Sequence, residues 1–218
     1  MDLAVIWEYA PSLLAGLGVN VALTALGFLF GIGLGGLLAL ANLSKQRALR
    51  WPAYAFVEFW RSTPLLVQAI WVHFALPAVT GISTSAFGSA LLALVFNVSA
   101  YCAEIIRAGI LGVPEGQFQA ARALALPRWV IWWKVILPQA LRLVVPPLVS
   151  SVISIFKATA ILSVLAINDL TRVASRVSAY TYQPIEIYTA AAVLFFAVGA
   201  LITWLGWRVE RSFRAWAH

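Results

Sequence analysis

The sequence predicts an all-α integral membrane protein with five transmembrane helices, and three observations predict it. Hydrophobic residues make up 62% of the 218 and charged residues 11%, against about 25% charged in an ordinary soluble domain. Charge-free stretches long enough to cross ~30 Å of hydrocarbon recur along the chain. The Lys and Arg residues fall mainly in the short segments between those stretches, so they read as topology signals and no nucleic-acid partner is expected. A single cysteine, Cys102, and two histidines far apart, His73 and His218, give no metal-binding pattern.

Residues 1–12 are expected as an external N-terminal segment; Asp2 and Glu8 stand there without Lys or Arg, unlike the basic start of a cleaved signal peptide. The main domain is then expected over residues 13–210. Tyr9 to Ser44 carries no charge, and the first span is placed at 13–42. Within it Gly27, Gly31, Gly35 and Ala39 recur every four residues, so another helix can approach that face closely. Packing inside this chain is the simpler reading of that stripe, a dimer interface the other. After Lys45, Arg47 and Arg50, a second span at 51–76 contains Glu58 and Arg61, and Pro77 to Gly88 reads as a turn. The third span is placed at 89–107, followed by a long loop at 108–138. The fourth, 143–167, has Pro146-Pro147 near its start, where a kink is expected, and Lys157 inside. Asn168 to Glu186 reads as a polar loop. The fifth span, 187–207, offers 21 uncharged residues, about 31 Å of helix. Residues 211–218 are left as a tail.

Five spans put the termini on opposite sides. One side collects Lys45, Arg47, Arg50, Arg107, Arg122, Arg128, Lys134, Arg208, Arg211 and Arg214, and the other only Arg172 and Arg176. The first side is therefore expected to be cytoplasmic, with the N-terminus outside, the C-terminus inside and the 108–138 loop inside.

That loop reads as two short helices. Pro114 and Glu115 suit a first helical turn, Pro127 ends the run, and Trp129, Trp132, Trp133 and Ile136 share one face of a second helix over 128–136. An interfacial anchor would explain the tryptophans. It would leave Ala120, Ala121, Ala123 and Ala125 unexplained, because small side chains suit close seating in a partner's groove.

Three stretches carry a family resemblance. Gly116-Gln117-Phe118-Gln119-Ala120-Ala121-Arg122-Ala123-Leu124-Ala125-Leu126, with Val135 to Arg142, resembles the cytoplasmic "EAA" loop of permease subunits of ATP-binding-cassette importers. Phe59 to Gln68 (FWRSTPLLVQ) and Ala100 to Ile110 (AYCAEIIRAGI) resemble two segments of the branch that moves polar amino acids. Gln119 stands where that motif has Glu, Ala125 where it has Gly, and Ala158 where an acidic or amide residue is common.

The resemblance implies a type I importer transmembrane fold in a bacterial cytoplasmic (inner) membrane. It implies three protein partners: a separate ATPase subunit, a second permease subunit, identical or related, and an external solute-binding protein delivering an amino acid. Gly116, Gln117, Gln119, Ala120, Ala121, Arg122, Ala123, Leu124 and Ala125 would then couple the chain to the ATPase. The chain itself has no GxxxxGK[ST] stretch, so no cofactor is expected on it and ATP with Mg belongs to the partner.

Ionisable groups within spans are costly and usually face a protein interior or a wet cavity. Glu58, Arg61 and Lys157, with Thr63, Gln68 and Asn97, are therefore the candidate solute pathway. Glu58 and Arg61, three apart, could instead pair within their own helix. Glu104 and Arg107 are expected to brace the base of the loop. A secondary transporter or channel would require internal repeats or broken-helix pairs. A membrane enzyme would require a cluster of acid, base or metal groups, and neither pattern is visible.

Overall fold

The computed structural model describes residues 3–215; Met1, Asp2 and residues 216–218, and the side chains of Leu3 and residues 213–215, lie outside the described residues. The expectations placed on Asp2, on the Arg214 side chain and on His218 therefore fall outside them. Among the described residues there is no strand. Eight helical elements follow one another: α1 (Leu3–Asn42), α2 (Arg47–Ser62), α3 (Leu65–Thr80), α4 (Ala86–Leu111), α5 (Glu115–Ala123), α6 (Arg128–Leu165), α7 (Leu170–Thr181) and α8 (Pro184–Ala215). Four stretches, in α1, α4, α6 and α8, are each long and apolar enough to cross a membrane.

The expected second span is not one helix. α2 and α3 meet at a 108° bend, and they make a fifth crossing only as a broken pair. Thr63 is extended (φ −107°, ψ 143°) because the ring of Pro64 crowds the helical conformation of the residue before it. α3 then runs on through Pro77 to Thr80, into the segment expected as a turn, and stops at Gly81, which holds a left-handed φ of 74°.

Two further expectations are corrected. The short helix over 128–136 and the fourth span form one continuous helix, α6, which passes through Pro146 and Pro147. Its residues Ile131–Ile136 make a wide π turn. α3 contains another such turn, Trp71–Ala75, and both end two residues before a proline, Pro138 and Pro77. A proline clashes with the carbonyl four residues back and offers it no N–H, and a widened turn relieves both problems. The extra residue also rotates the helix face, so Ile131 and Ile136 turn inward while Trp129, Trp132 and Trp133 remain exposed. The segment expected as a polar loop contains α7: Asp169 caps its N-terminus, accepting from Arg172 N at 2.9 Å, and Leu170, Val173, Ala174 and Val177 bury one face.

The small-residue stripe is settled in favour of packing within the chain. A Cβ on Gly27 would stand 2.7 Å from Leu94, one on Gly31 2.5 Å from Val98 and one on Gly35 2.7 Å from Cys102, all on α4. α1 and α4 thus form the central pair. The main core joins Leu23 of α1, Trp60 of α2, Val72 of α3, Leu94 and Val98 of α4 and Leu162 of α6. A second core joins Leu13 and Leu17 of α1, Phe156 of α6, α7 and Ile187 of α8.

Candidate functional site

The loop segment builds a compact surface knuckle. α5 packs Ala121 against Val113, Ile131, Ile136 and Ala140, with Phe118 and Leu126 around them, and the Phe118 and Trp132 rings meet edge to face at 6.1 Å. Gly116, Gln117, Gln119, Ala120, Arg122, Ala123, Leu124 and Ala125 are exposed, and Leu124 shows 74% of its surface. Ala121 is the exception, buried in this chain's own core. Gln117 is held from below, accepting a long 3.4 Å bond from Gln139 on α6.

The end of α5 explains one of the sequence departures. Leu126 N donates to Ala121 O at 3.3 Å and Ala125 N to Arg122 O at 2.9 Å, the paired bonds of a Schellman cap. That cap needs a left-handed residue, and Ala125 supplies it at φ 51°. Glycine adopts this conformation without a Cβ penalty, so Gly is the natural residue there and Ala holds the turn under strain.

The six proposed solute-pathway residues are not brought together. Gln68 is buried and fully engaged: its Nε2 reaches Trp60 O (2.8 Å), Thr63 O (3.0 Å) and Thr63 Oγ1 (2.6 Å), and its Oε1 accepts from Asn97 Nδ2 at 3.0 Å. Asn97 also donates to Trp60 O at 3.3 Å. These amides satisfy the carbonyls released where α2 breaks, so Thr63, Gln68 and Asn97 act first as the brace of the bend. Lys157 is exposed in a groove of about 750 Å³ between α6 and α8, walled by Phe195, Phe196, Trp204 and Trp207. That groove shares no lining residue with the cavity that holds Glu58 and Arg61.

Glu58 and Arg61 line a cavity of about 660 Å³ together with Asn42, Arg50, Trp51, Tyr54, Val57, Glu104 and Arg107. Among the described residues Glu58 bonds Ser62 at 3.3 Å and makes no ion pair with Arg61. Arg61 lies over the Tyr101 ring at 5.8 Å. Glu104 and Arg107 form a two-pronged pair, at 2.9 and 2.6 Å, on the opposite wall. Expected to brace the base of the loop, they line this cavity from the end of α4 that leads into that loop. Among the described residues the Asn42 side-chain oxygen is buried with no hydrogen-bond partner. The cavity offers both signs of charge within one concave space.

The sequence reading missed Asn42, Arg50 and Tyr54 because only the meeting of α1, α2 and α4 puts them on this wall. It also missed the buried node of Asn20, Thr159 and Asp169. Asn20 Nδ2 donates to Thr159 Oγ1 (2.9 Å) and Asp169 Oδ2 (3.3 Å), and its Oδ1 accepts from Leu170 N (2.9 Å). Burial pushes the Asp169 carboxyl above the usual range, while the Arg172 N–H and the Asn20 amide pull it back.

With the geometry in view, comparison with known proteins decides the family. Residues 27–215 match the family described as the inner membrane component of binding-protein-dependent transport systems. The chain belongs to that family. A Rickettsia conorii protein named GlnP, for glutamine transport, is 38% identical over 89% of each chain. The arginine transport system permease ArtQ of Bacillus subtilis is 32% identical to this transport component over 99% of it and 98% of ArtQ. A crystal structure of an amino acid ABC transporter with histidines superposes at a TM-score of 0.92, 35% identical, covering 97% of this component and 99% of that chain. The methionine transporter MetNI, at 22% identity and a TM-score of 0.75, shares the fold.

Proposed function

We propose that this transport component is the permease subunit of an ATP-driven amino acid importer in a bacterial inner membrane. The observation that carries this reading is the α5 knuckle. Its outward face offers Gln119, Ala120, Ala123 and Leu124, exposed and uncovered among the described residues, and the sequence has no phosphate-binding loop. A separate ATPase subunit, carrying ATP and Mg, closes on that face, and α6, continuous from the knuckle into the bilayer, carries the movement inward. The knuckle and the C-terminus then lie on the cytoplasmic side and the N-terminus outside, as the basic residues indicate. A second permease chain completes the pathway, and an external solute-binding protein delivers the solute.

The relatives GlnP and ArtQ are named for glutamine and arginine transport, and both solutes share the zwitterionic amino acid backbone. The mixed-charge cavity suits that backbone: Arg50 and Arg61, neither of them in an ion pair among the described residues, offer positive charge to a carboxylate, and Glu58 accepts from an ammonium. The test is reconstitution with the ATPase and the solute-binding protein. Solute must stimulate ATP hydrolysis, and Ala120→Asp, on the exposed face, must abolish that stimulation while the chain still inserts and folds. Normal stimulation in Ala120→Asp would remove the docking role.

A further inference from the structure

The groove between α6 and α8 owes its shape to two glycines. A Cβ on Gly206 would collide with Val149, so the helices touch there, whereas a Cβ on Gly199 would meet nothing within 4 Å. The helices part toward Gly199, and Phe156, Phe195, Phe196, Trp204 and Trp207 wall the space of about 750 Å³ that opens. Lys157 brings a positive charge to this lining, and no carboxylate is among the lining residues. The space is therefore apolar with a bias toward anions.

Its mouth, toward the C-terminal end of α8, carries two held arginines. Arg208 lies over the Trp204 ring at 3.9 Å and Arg211 over the Trp207 ring at 3.4 Å, and both rings line the groove. Both side chains are exposed, and among the described residues neither makes an ion pair, nor does Glu210 between them. A guanidinium stacked through its face keeps its N–H edge free for two parallel bonds to phosphate oxygens. Three residues apart, the two groups are neighbours on one helix face. The bias of basic residues toward one side of the membrane accounts for the charges, but not for their stacking on the rings of a groove.

We propose that this groove holds one anionic phospholipid, with an acyl chain among the aromatic rings and the phosphate on Arg208 and Arg211. A basic pocket between membrane helices, opening into an apolar channel, meets both halves of such a molecule. A zwitterionic phospholipid fits less well, because its cationic headgroup lies beside the phosphate and is repelled by the arginines. The proposal goes beyond the importer reading and needs only that the chain spans a bilayer.

The experiment uses the whole transporter, purified in detergent with its ATPase subunit and stripped of lipid. It is titrated with phosphatidylglycerol or phosphatidylcholine of the same chain length, and bound lipid per permease chain is counted by native mass spectrometry. The wild type is expected to hold phosphatidylglycerol about tenfold more tightly than phosphatidylcholine, and Arg208→Gln/Arg211→Gln to remove roughly that advantage. Gly199→Leu fills the open floor without altering a charge, and is expected to weaken phosphatidylglycerol binding as well. The arginines are exposed and Gly199 faces open space, so the melting temperature without lipid stays near wild type in both variants. Full affinity in Gly199→Leu beside a loss in the arginine variant would mean diffuse attraction to surface charge and would overturn the groove site. Equal binding of the two lipids overturns it too, as does soluble glycerol phosphate competing at the same concentration as the lipid. If Gly199→Leu instead separates two permease chains, a second copy covers the groove and the lipid proposal fails. None of these outcomes bears on the importer reading.

Discussion

Ala125 shows how one residue can be judged against the conformation it must hold. Its φ of 51° lies where a Cβ costs about 1–2 kcal/mol, while glycine gives back part of that gain as chain entropy. Ala125→Gly is thus expected to stabilise the chain by up to about 1 kcal/mol, raising its melting temperature in detergent; a fall would contradict the cap geometry. The glycines of α1 permit a paired test. Gly31→Val drives a side chain into Val98 and is expected to cost roughly 1–3 kcal/mol, whereas Gly33→Val meets open space and is expected to leave insertion and melting almost unchanged. Equal effects at the two positions would mean that α1 and α4 do not pack along this stripe. The spacing of these glycines was legible in the sequence; which helix they meet was not.

At the scale of the element, the bend between α2 and α3 depends on Gln68. Gln68→Leu removes donors from Trp60 O and Thr63 O and the acceptor from Asn97, leaving buried polar groups unsatisfied at about 1–3 kcal/mol in total effect. The expected outcome is a lower melting temperature, with protease cleavage near residues 62–65 in the folded protein; an unchanged cleavage pattern would show that the brace is dispensable. The stop at Thr63-Pro64 was visible as a dipeptide, yet the apolar run beyond it read as a straight span because hydropathy carries no direction. α7 was hidden for a different reason. Its signals, the Asp169 cap and Leu170, Val173, Ala174 and Val177 at helical spacing, were present. The arginines and hydroxyls between them made the composition look like a loop. The π turn of α6 likewise defeats a fixed 3.6-residue period, and so Ile136 parts company with the three tryptophans.

Across the whole molecule, the charges expected to meet in one pathway divide among separate spaces. Arg61 lies in the mixed-charge cavity and Lys157 in the apolar groove between α6 and α8. Arg61→Met is accordingly expected to reduce solute uptake about tenfold, the equivalent of ~1.4 kcal/mol, in reconstituted vesicles, while Lys157→Met keeps uptake near wild type. A larger loss from Lys157→Met than from Arg61→Met would show that the groove, and not the cavity, carries the solute. The helical class, the membrane location, the family motifs and the alanine-rich knuckle could all be read from the chain, because hydropathy, charge and helix-ending residues are local properties. The bend of α2 against α3, the burial of Ala121, the making of a cavity from α1, α2 and α4, and the separation of Lys157 from Arg61 came only with the fold. Each depends on which faces pack together, and residues distant in sequence settle that jointly.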